Sequence, residues 1–455
     1  MEYTRELAKF CASVSIESLP AEVVHKAKLC ILDYVANVYG SLELETVRKV
    51  ADHIRSLGGG ERATVLGCGF KTDTHHAAFL NGVTAEAIEA QDGLRFGGNH
   101  PGVAVIPAAL AVAEERNCSG RAVIEAVVAG YEAANRASAA MHPWHTLGGF
   151  LPTGTCGTFG AAVAASKLMG HDPATLLNAL GNAGYLLPIS MAEQLMGGYT
   201  IKIVQGGQAA SAGIMAAGLA GCGVTGAPYV IEGSALNGGF AKITTIADPT
   251  LSRITEGLGD HYSIMDIYFK PFTACRHTHG AAQAAMELAA SEPIAPETVA
   301  SVAVHTYGIA ELAVGKPVTE ESSFVSAQFS IPYVVAVCLL DGQLGPGQLT
   351  EARIADPVLM QLAGKVTVKT DEDLNKVYPE KTSSRVEISL TDGRVLTRQV
   401  DIPKGDPRDP MAEEDLAEKI RRFGAGRESV RVEAIVEAVM NLEQAEAVHR
   451  LVETI

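Results

Sequence analysis

The strongest constraint on the fold of this chain is a change in the spacing of its apolar residues along the sequence. Up to about Tyr268, apolar residues recur every three or four positions, as in the run from Ser18 to Tyr39. This spacing is typical of amphipathic helices. It predicts further helices at 75–90, 104–116, 121–141, 158–170 and 209–221. The first part of the chain is therefore expected to be helical.

After Tyr268 the pattern changes to the alternation of strands, at 299–308 and 365–370. Two more alternating runs, within 385–402, meet at Asp392-Gly393, which is a strong signal for a hairpin turn. Helical spacing returns from Pro410 and continues in a closing run from Val430 to Val452.

These changes predict a mainly α fold with an α+β second domain. We expect a large all-helical domain built from both chain ends, residues 1–268 together with 408–455. A smaller α+β lid domain, residues 269–407, would be inserted between them.

Composition excludes several classes of protein. The net charge of −16 leaves no excess of Lys and Arg to neutralise phosphates, so we expect no nucleic acid partner. No uncharged apolar run is long enough to suggest a membrane span. The eight cysteines are scattered and form no Cys-x-x-Cys pair, as is typical of buried thiols in a reducing compartment. We therefore predict a cytoplasmic protein.

Two short motifs suggest cofactors but have simpler explanations. The run 221–226 fits the dinucleotide pattern G-x-G-x-x-G, yet it follows an Ala-rich helix instead of a strand, so we interpret it as a helix-ending loop. His277 and His279 form an H-x-H pair of the kind that binds metals, but Lys270 and Arg276 beside them would repel a cation. We expect neither a metal nor a nucleotide.

Four segments combine titratable side chains with Gly or Pro, and each has a purely structural alternative. Segment 86–102 is a helix end with carboxylates followed by His-Pro-Gly, or simply a solvated turn. Segment 197–207 carries a lysine before a helix N-terminus, where an anion is favoured. Segment 270–279 holds two cations and two histidines suited to carboxylate binding and proton transfer, or forms a basic surface turn. Segment 327–333 ends in a tyrosine, a residue type that is commonly part of the core.

In their order along the chain, these segments resemble the MmgE/PrpD family, which includes 2-methylcitrate dehydratase, cis-aconitate decarboxylase and iminodisuccinate epimerase. The similarity covers essentially the whole chain and is carried by the sequence from Leu19 to Ser41, AEAIEAQDG with NHPG, and the runs 148–170, 270–282, 327–342 and 404–420.

The resemblance implies a homodimer without a cofactor, with the site in a cleft between a helical domain and a smaller α+β domain. By position it implies that the catalytic residues are Glu89, Asp92, His100, Lys202, His279 and Tyr333. Chemistry adds Lys270, Arg276 and His277 as candidates for substrate binding.

Three positions depart from the family pattern. Leu151 stands where a His-Pro histidine is frequent, Gln205 replaces a frequent histidine three residues after the lysine, and Gly93 falls where a Thr often follows. Leu151 cannot transfer a proton, and His142 or His145 just upstream are the available substitutes.

The reactions of the family share a carbanion-like centre beside a carboxylate, which needs a base, an acid and cations. The first hypothesis is a lyase that dehydrates a small hydroxy-polycarboxylate, as 2-methylcitrate dehydratase does. The alternatives are an isomerase or epimerase, a decarboxylase of the cis-aconitate type, and an inactive helical dimer.

Overall fold

In the computed structural model, residues 2–427 and 430–455 are described. Within them, α-helices span Tyr3–Ser13 (α1), Ala21–Ser41 (α2), Glu45–Leu57 (α3), Thr74–Ala87 (α4), Gly102–Glu115 (α5), Gly120–Met141 (α6), Trp144–Leu147 (α7), Pro152–Leu168 (α8), Pro173–Leu186 (α9), Ala192–Met196 (α10), Gln205–Gly221 (α11), Phe240–Ile243 (α12), His279–Ser291 (α13), Gly308–Val314 (α14), Phe324–Gln328 (α15), Ile331–Asp341 (α16), Glu351–Ile354 (α17), Pro357–Ala363 (α18), Glu372–Lys376 (α19), Glu413–Phe423 (α20), Val432–Met440 (α21) and His449–Thr454 (α22).

The strands are shorter and fewer among these residues. They span Ala63–Val65 (β1), Phe70–Thr72 (β2), Gly93–Leu94 (β3), Ile267–Tyr268 (β4), Val299–Thr306 (β5), Val366–Thr370 (β6), Ser384–Leu390 (β7) and Val395–Val400 (β8). Turns of 3₁₀-helix span Thr200–Val204, Leu251–Ile254, Ser263–Asp266, Arg276–Thr278, Pro296–Thr298, Pro346–Leu349 and Leu442–Gln444. The protein is thus mainly helical, with a small mixed sheet in its C-terminal region.

The mixed sheet has the order β6-β5-β7-β8. Strand β5 runs parallel to β6 and antiparallel to β7, and β7 and β8 form an antiparallel hairpin. The predicted turn at Asp392-Gly393 is confirmed, and Gly393 has a φ of +90°, which glycine adopts without steric cost. The helices predicted from apolar spacing in the first part of the chain are confirmed as α2, α4, α5, α6, α8 and α11.

The helical core depends on close approach between backbones. Helix α8 packs against α6 and α11, and their facing positions are rich in Gly and Ala. A Cβ on Gly160 would lie 2.6 Å from the carbonyl oxygen of Gly130, so no side chain fits at this crossing of α6 and α8. The abundance of small residues is therefore a packing requirement of this core.

The C-terminal helices α20 and α21 pack against α2, near the other end of the chain. Lys419 Nζ lies 2.7 Å from Asp33 Oδ1 inside this contact, and both side chains are buried. These contacts accord with a helical unit made from both chain ends. The domain boundaries at 268/269 and 407/408 stay predictions.

Two expectations need correction. The first 268 residues are not all helical, because the hairpin β1–β2 and the short paired strands β3 and β4 lie among them. Gly67 and Gly69, with φ of +67° and +68°, allow the tight connection between β1 and β2. The closing helical run is interrupted, because α21 ends at Met440 and a 3₁₀ turn precedes α22.

Three further sequence predictions concern the Gly-rich run after α11, the cysteines and membrane spans. The Gly-rich run 221–226 follows α11 directly and is a helix-ending loop, as predicted. All eight cysteines are free. None of the helices in the described residues is both long and apolar enough to cross a membrane.

Candidate active site

Glu89 lies just beyond the C-terminus of α4, in a backbone conformation that side chains rarely adopt. Its φ is +56°, in the left-handed region where glycine or asparagine usually ends a helix. The side chain is buried, with 1% of the residue exposed. Strained backbone of this kind is concentrated at functional sites. Here the turn directs a carboxylate into the interior.

Two lysines from distant segments bind this one carboxylate. Lys202, in the 3₁₀ turn before α11, donates to Glu89 Oε2, and Lys270 Nζ lies 2.7 Å from Glu89 Oε1. Lys202 Nζ also lies 3.1 Å from Oε1 of Glu86. All four side chains are buried, so two ammonium groups balance two carboxylates away from solvent.

The charges in this cluster stabilise one another. Burial alone would raise the pKa of Glu89, but Lys202 and Lys270 outweigh it and hold that pKa well below its usual range. Burial would likewise lower the pKa of Lys202, yet the carboxylates of Glu89 and Glu86 raise it. Both lysines are therefore paired with carboxylate in the resting site.

Glu86 is held by the start of α11. Gln205 Nε2 donates to its Oε1 at 2.6 Å, and the backbone N–H of Gly206 donates to its Oε2 at 2.9 Å. Gln205 Oε1 in turn accepts from Ser190 Oγ at 3.0 Å. Burial nevertheless raises the pKa of Glu86. The glutamine that replaces a frequent family histidine thus positions a carboxylate that faces Lys202.

One ring nitrogen of His100 has no hydrogen-bond partner in the described residues, and this nitrogen lies at the lysine cluster. His100 Nδ1 lies 2.6 Å from the carbonyl oxygen of Asp92, which can only accept, so Nδ1 carries the hydrogen. In the neutral ring, Nε2 is then an unprotonated acceptor, 4.0 Å from Glu89 Oε1. Burial and the positive charge of Lys270 lower the pKa of His100 to about 3. His100 is therefore neutral near pH 7.

Asp92 supports His100 through its backbone. Its carboxylate points elsewhere: Oδ1 accepts from the N–H of Gly102 at 3.1 Å, and Oδ2 accepts from the Tyr131 hydroxyl at 2.6 Å. Burial and the nearby charge of Asp33 raise the pKa of Asp92 to about 7. The structure thus brings the peptide of Asp92, not its carboxyl group, to the site.

His279 and Arg276 lie near the cluster, but their hydrogen-bonding groups are engaged by the protein. Arg276 Nη1 lies 3.4 Å from His279 Nδ1 and must donate, while His279 Nε2 donates to the carbonyl of Ala274 at 3.0 Å. Arg276 also donates to the carbonyls of Pro403 and Lys404, at 2.7 and 2.8 Å. Neither nitrogen of His279 is open to a substrate, and Arg276 anchors the 403–404 loop.

His277 Nδ1 and the Tyr333 hydroxyl have hydrogen-bond partners outside the lysine cluster, although Lys270 is close enough to His277 to add to the lowering of its ring pKa by burial. His277 lies in the 3₁₀ turn before α13, with Nδ1 2.7 Å from the Tyr307 hydroxyl, so its ring has different partners from His279. Tyr333 is fully buried in α16 and donates to the carbonyl oxygen of Gln348. Its role is explained by core packing.

His142 and His145, the two candidates to replace the histidine missing at Leu151, differ in whether their ring nitrogens are hydrogen-bonded. His145 is structural, since its ring nitrogens lie 2.9 and 2.8 Å from the hydroxyls of Thr244 and Thr155. The buried Nδ1 of His142 has no hydrogen-bond partner in the described residues and faces Gly98, two residues before His100. Leu151 itself is buried where α8 begins.

Sequence reasoning missed Tyr268, which directly precedes the Phe269-Lys270 segment. Strand β4 pairs with β3, so that Tyr268 lies opposite Gly93. Gly93 could have indicated Tyr268 from the sequence. It is a glycine at a position where the family often has a Thr, so another group is expected to fill the space of the missing side chain. Among residues 2–427 and 430–455 no group of three or more His, Cys, Asp or Glu side chains is arranged to hold a metal ion.

Family models match both parts of the chain. The model of the MmgE/PrpD N-terminal domain matches residues 5–251, and that of the MmgE/PrpD C-terminal domain matches residues 272–444. The chain belongs to the MmgE/PrpD family. The resemblance drawn from the sequence motifs is confirmed.

Curated relatives of similar length share about a quarter of its residues. Cis-aconitate decarboxylase from Aspergillus terreus is 27% identical over 470 residues, which cover 99% of this chain and 95% of the relative. The human cis-aconitate decarboxylase is 27% identical over 459 residues, covering 97% and 92%. A cis-aconitate decarboxylase-like protein, oryM, from Aspergillus oryzae is 25% identical over 472 residues, covering 98% and 96%. The chain is therefore an MmgE/PrpD enzyme similar to lyases that act on a small polycarboxylate.

Proposed function

We propose that this enzyme is a cofactor-independent lyase that decarboxylates a small unsaturated tricarboxylate of the cis-aconitate class. The observation that carries the proposal is the convergence of the Lys202 and Lys270 ammonium groups on the single carboxylate of Glu89. Two buried cations held beside a neutral imidazole suit the capture of a substrate carboxylate and the stabilisation of negative charge that develops next to it.

Decarboxylation makes the smallest demand on acid–base groups. Dehydration needs a base for the C–H bond and an acid for the leaving hydroxyl, whereas decarboxylation needs one proton for the product carbon. His279 has no free nitrogen, and the residue at position 151 is a leucine. Dehydration, the first hypothesis from the sequence, ranks second because relatives at 25–27% identity are named as cis-aconitate decarboxylases or as similar to them.

In the proposed reaction, a substrate carboxylate takes over one or both lysines from Glu89. When the C–C bond to the departing carboxylate breaks, the electron pair moves into an enediolate on the carboxylate at the lysines. Those cations stabilise the charge where it develops. His100 Nε2 accepts a proton when the incoming anion raises its pKa, and the imidazolium then pairs with a second carboxylate.

The test is turnover on a panel of small acids. Release of CO₂ from cis-aconitate, with one deuterium per product molecule in D₂O, is the expected result. A new double bond formed only from hydroxy-acids would replace the proposal with dehydration. Deuterium exchange without net turnover would indicate epimerisation, and inertness across the panel would favour an inactive helical dimer.

We also propose that the enzyme is a homodimer. Large apolar side chains are exposed within one stretch of the chain, and exposed apolar surface of this kind is typical of sites of protein association. They are Tyr185, Ile189, Met191, Tyr199 and Ile201, each with more than half of its surface exposed. Light scattering after gel filtration should give twice the mass of the chain, and Tyr185→Glu should shift the protein toward the monomer. A monomeric wild-type protein would refute the dimer.

A further inference from the structure

The proposed reaction requires a group that carries a transferable proton at neutral pH. In the resting site His100 is neutral and its single N–H is bound to the carbonyl of Asp92; the proton that Nε2 takes up when the substrate binds is held by a second substrate carboxylate. His279 donates its N–H to Ala274, and Glu89 is ionised between the lysines. The residues identified from the sequence thus supply cations and an acceptor, while the donor to carbon is unassigned.

Tyr268 lies beside these groups because Gly93 leaves room for its ring. The two residues are directly opposite each other in the β3–β4 ladder, where side chains on one face come close together. A Cβ on Gly93 would lie 2.5 Å from the Tyr268 hydroxyl oxygen and 2.8 Å from His100 Nδ1. The phenol therefore covers Gly93 next to the catalytic imidazole, in the space that a side chain at position 93 would need.

The hydroxyl of Tyr268 makes no hydrogen bond within the part of the chain that the structure describes. Its oxygen is not fully buried, so a small ligand or solvent can reach it. The guanidinium of Arg276 lies 5.0 Å from the centre of the ring, within the range of a cation–π contact. Burial raises the pKa of Tyr268; the charge of Arg276 opposes this rise, while Cys275, Glu89 and Asp92 add to it. The phenol is therefore protonated near pH 7 and free to donate.

We propose that Tyr268 is a catalytic residue whose hydroxyl, placed over Gly93 beside His100, donates the proton that the substrate carbon receives. The inference rests on the proposed function and names the acid of the same site. As CO₂ leaves, the enediolate carbon forms a bond to the phenolic hydrogen and the O–H bond breaks. The resulting tyrosinate takes a proton from solvent, so that each turnover consumes one proton and releases one CO₂.

Tyr268→Phe is the direct test because it removes one oxygen that has no partner in the described residues. We expect kcat to fall at least about 100-fold, the range in which a general acid contributes, with KM within about threefold and an unchanged melting temperature. The matched control is Tyr34→Phe, which removes a buried hydroxyl bound to the carbonyl of Asn81 and should leave kcat unchanged. A Tyr268→Phe enzyme with wild-type kcat would overturn the assignment.

A second measurement separates this inference from the proposed function. Tricarballylate is a saturated tricarboxylate and cannot follow the decarboxylation route. Adding it to the wild-type protein should give a tyrosine difference spectrum in the near ultraviolet that is absent in Tyr268→Phe. Identical spectra in the two proteins would overturn contact between Tyr268 and the ligand, whichever reaction the enzyme performs. Failure of the wild-type protein to release CO₂ would overturn the decarboxylase alone, and Tyr268 would then be judged by the spectrum.

Discussion

Lys270 places its ammonium nitrogen 2.7 Å from Glu89 Oε1, although 181 residues separate the two along the chain. The other oxygen of the same carboxylate binds Lys202, so three distant segments meet at one side chain. Because breaking a buried ion pair leaves an uncompensated charge, the site and the local fold depend on the same contacts. Variants of these residues should therefore be measured for stability as well as for rate.

Lys202→Ala should abolish most activity and also destabilise the protein. It leaves Glu86 and Glu89 buried with one fewer cation, which costs about 3–5 kcal/mol in comparable cases. Urea unfolding and turnover of the same preparation measure the two effects. Lys49→Ala, which removes an exposed lysine paired with Glu45, is the control and should change neither. Full turnover by Lys202→Ala would contradict the assignment.

His100→Gln should lower kcat by about 10²–10⁴-fold, the usual contribution of a proton-transfer group. The fold should tolerate the change, because the His100 side chain is 17% exposed and a glutamine amide can still donate toward the Asp92 carbonyl. His145→Gln gives the contrast: it disturbs two buried hydrogen bonds and should lower stability while kcat is retained. Steady-state kinetics with melting curves separate the two histidines. Equal kcat losses in both variants would count against the distinction.

Asp92→Asn should change how stability depends on pH. Burial raises the pKa of Asp92 from 3.8 to about 7, so the folded state favours the protonated form. The contribution of Asp92 to the free energy of unfolding is therefore fully present below about pH 3.8 and is lost as the pH rises through about 7. Between these two limits the free energy of unfolding falls by up to about 4 kcal/mol. Asparagine does not titrate; its Oδ1 can accept from the N–H of Gly102, and its amide N–H can donate to the Tyr131 oxygen in place of the bond that Oδ2 accepts. Relative to the wild-type protein, the variant should gain stability between pH 5 and pH 8 in urea unfolding, and parallel curves would refute the prediction.

Arg276→Ala should loosen a loop. The guanidinium donates to the carbonyls of Pro403 and Lys404, and leaving such groups unpaired costs about 1–3 kcal/mol each when they are buried. Faster limited proteolysis near residue 404 is the expected result, and Arg276→Lys should not restore resistance because an ammonium cannot bind both carbonyls in the same geometry. Unchanged proteolysis with a raised KM would instead support the substrate-binding role expected from the sequence.

The fold was predictable wherever local chemistry decides the structure. Apolar spacing identified α2 and the other long helices, and Asp392-Gly393 located the hairpin between β7 and β8. The same spacing extended the helix at 75–90 through Glu89, whereas α4 ends at Ala87. The turn that follows is set by buried ion pairs with lysines more than a hundred residues away, which periodicity cannot reveal.

The sequence predicted which segments form the site, but it did not predict what each side chain does there. Lys202, Lys270, Glu89 and His100 converge, as the charged motifs suggested. The engagement of Arg276 by backbone carbonyls and the rotation of the Asp92 carboxylate toward Tyr131 depend on partners from other segments. Residue type alone does not determine which atom of a side chain remains free.

The balance of two ammonium groups against two carboxylates has a consequence for how a ligand enters. A tricarboxylate brings more negative charge than an already neutral pocket can compensate, so its arrival should draw protons from the buffer onto groups such as His100 and Glu86. Affinity should then weaken in alkaline solution, and calorimetry in buffers of different ionisation enthalpy would count the protons taken up with each bound molecule.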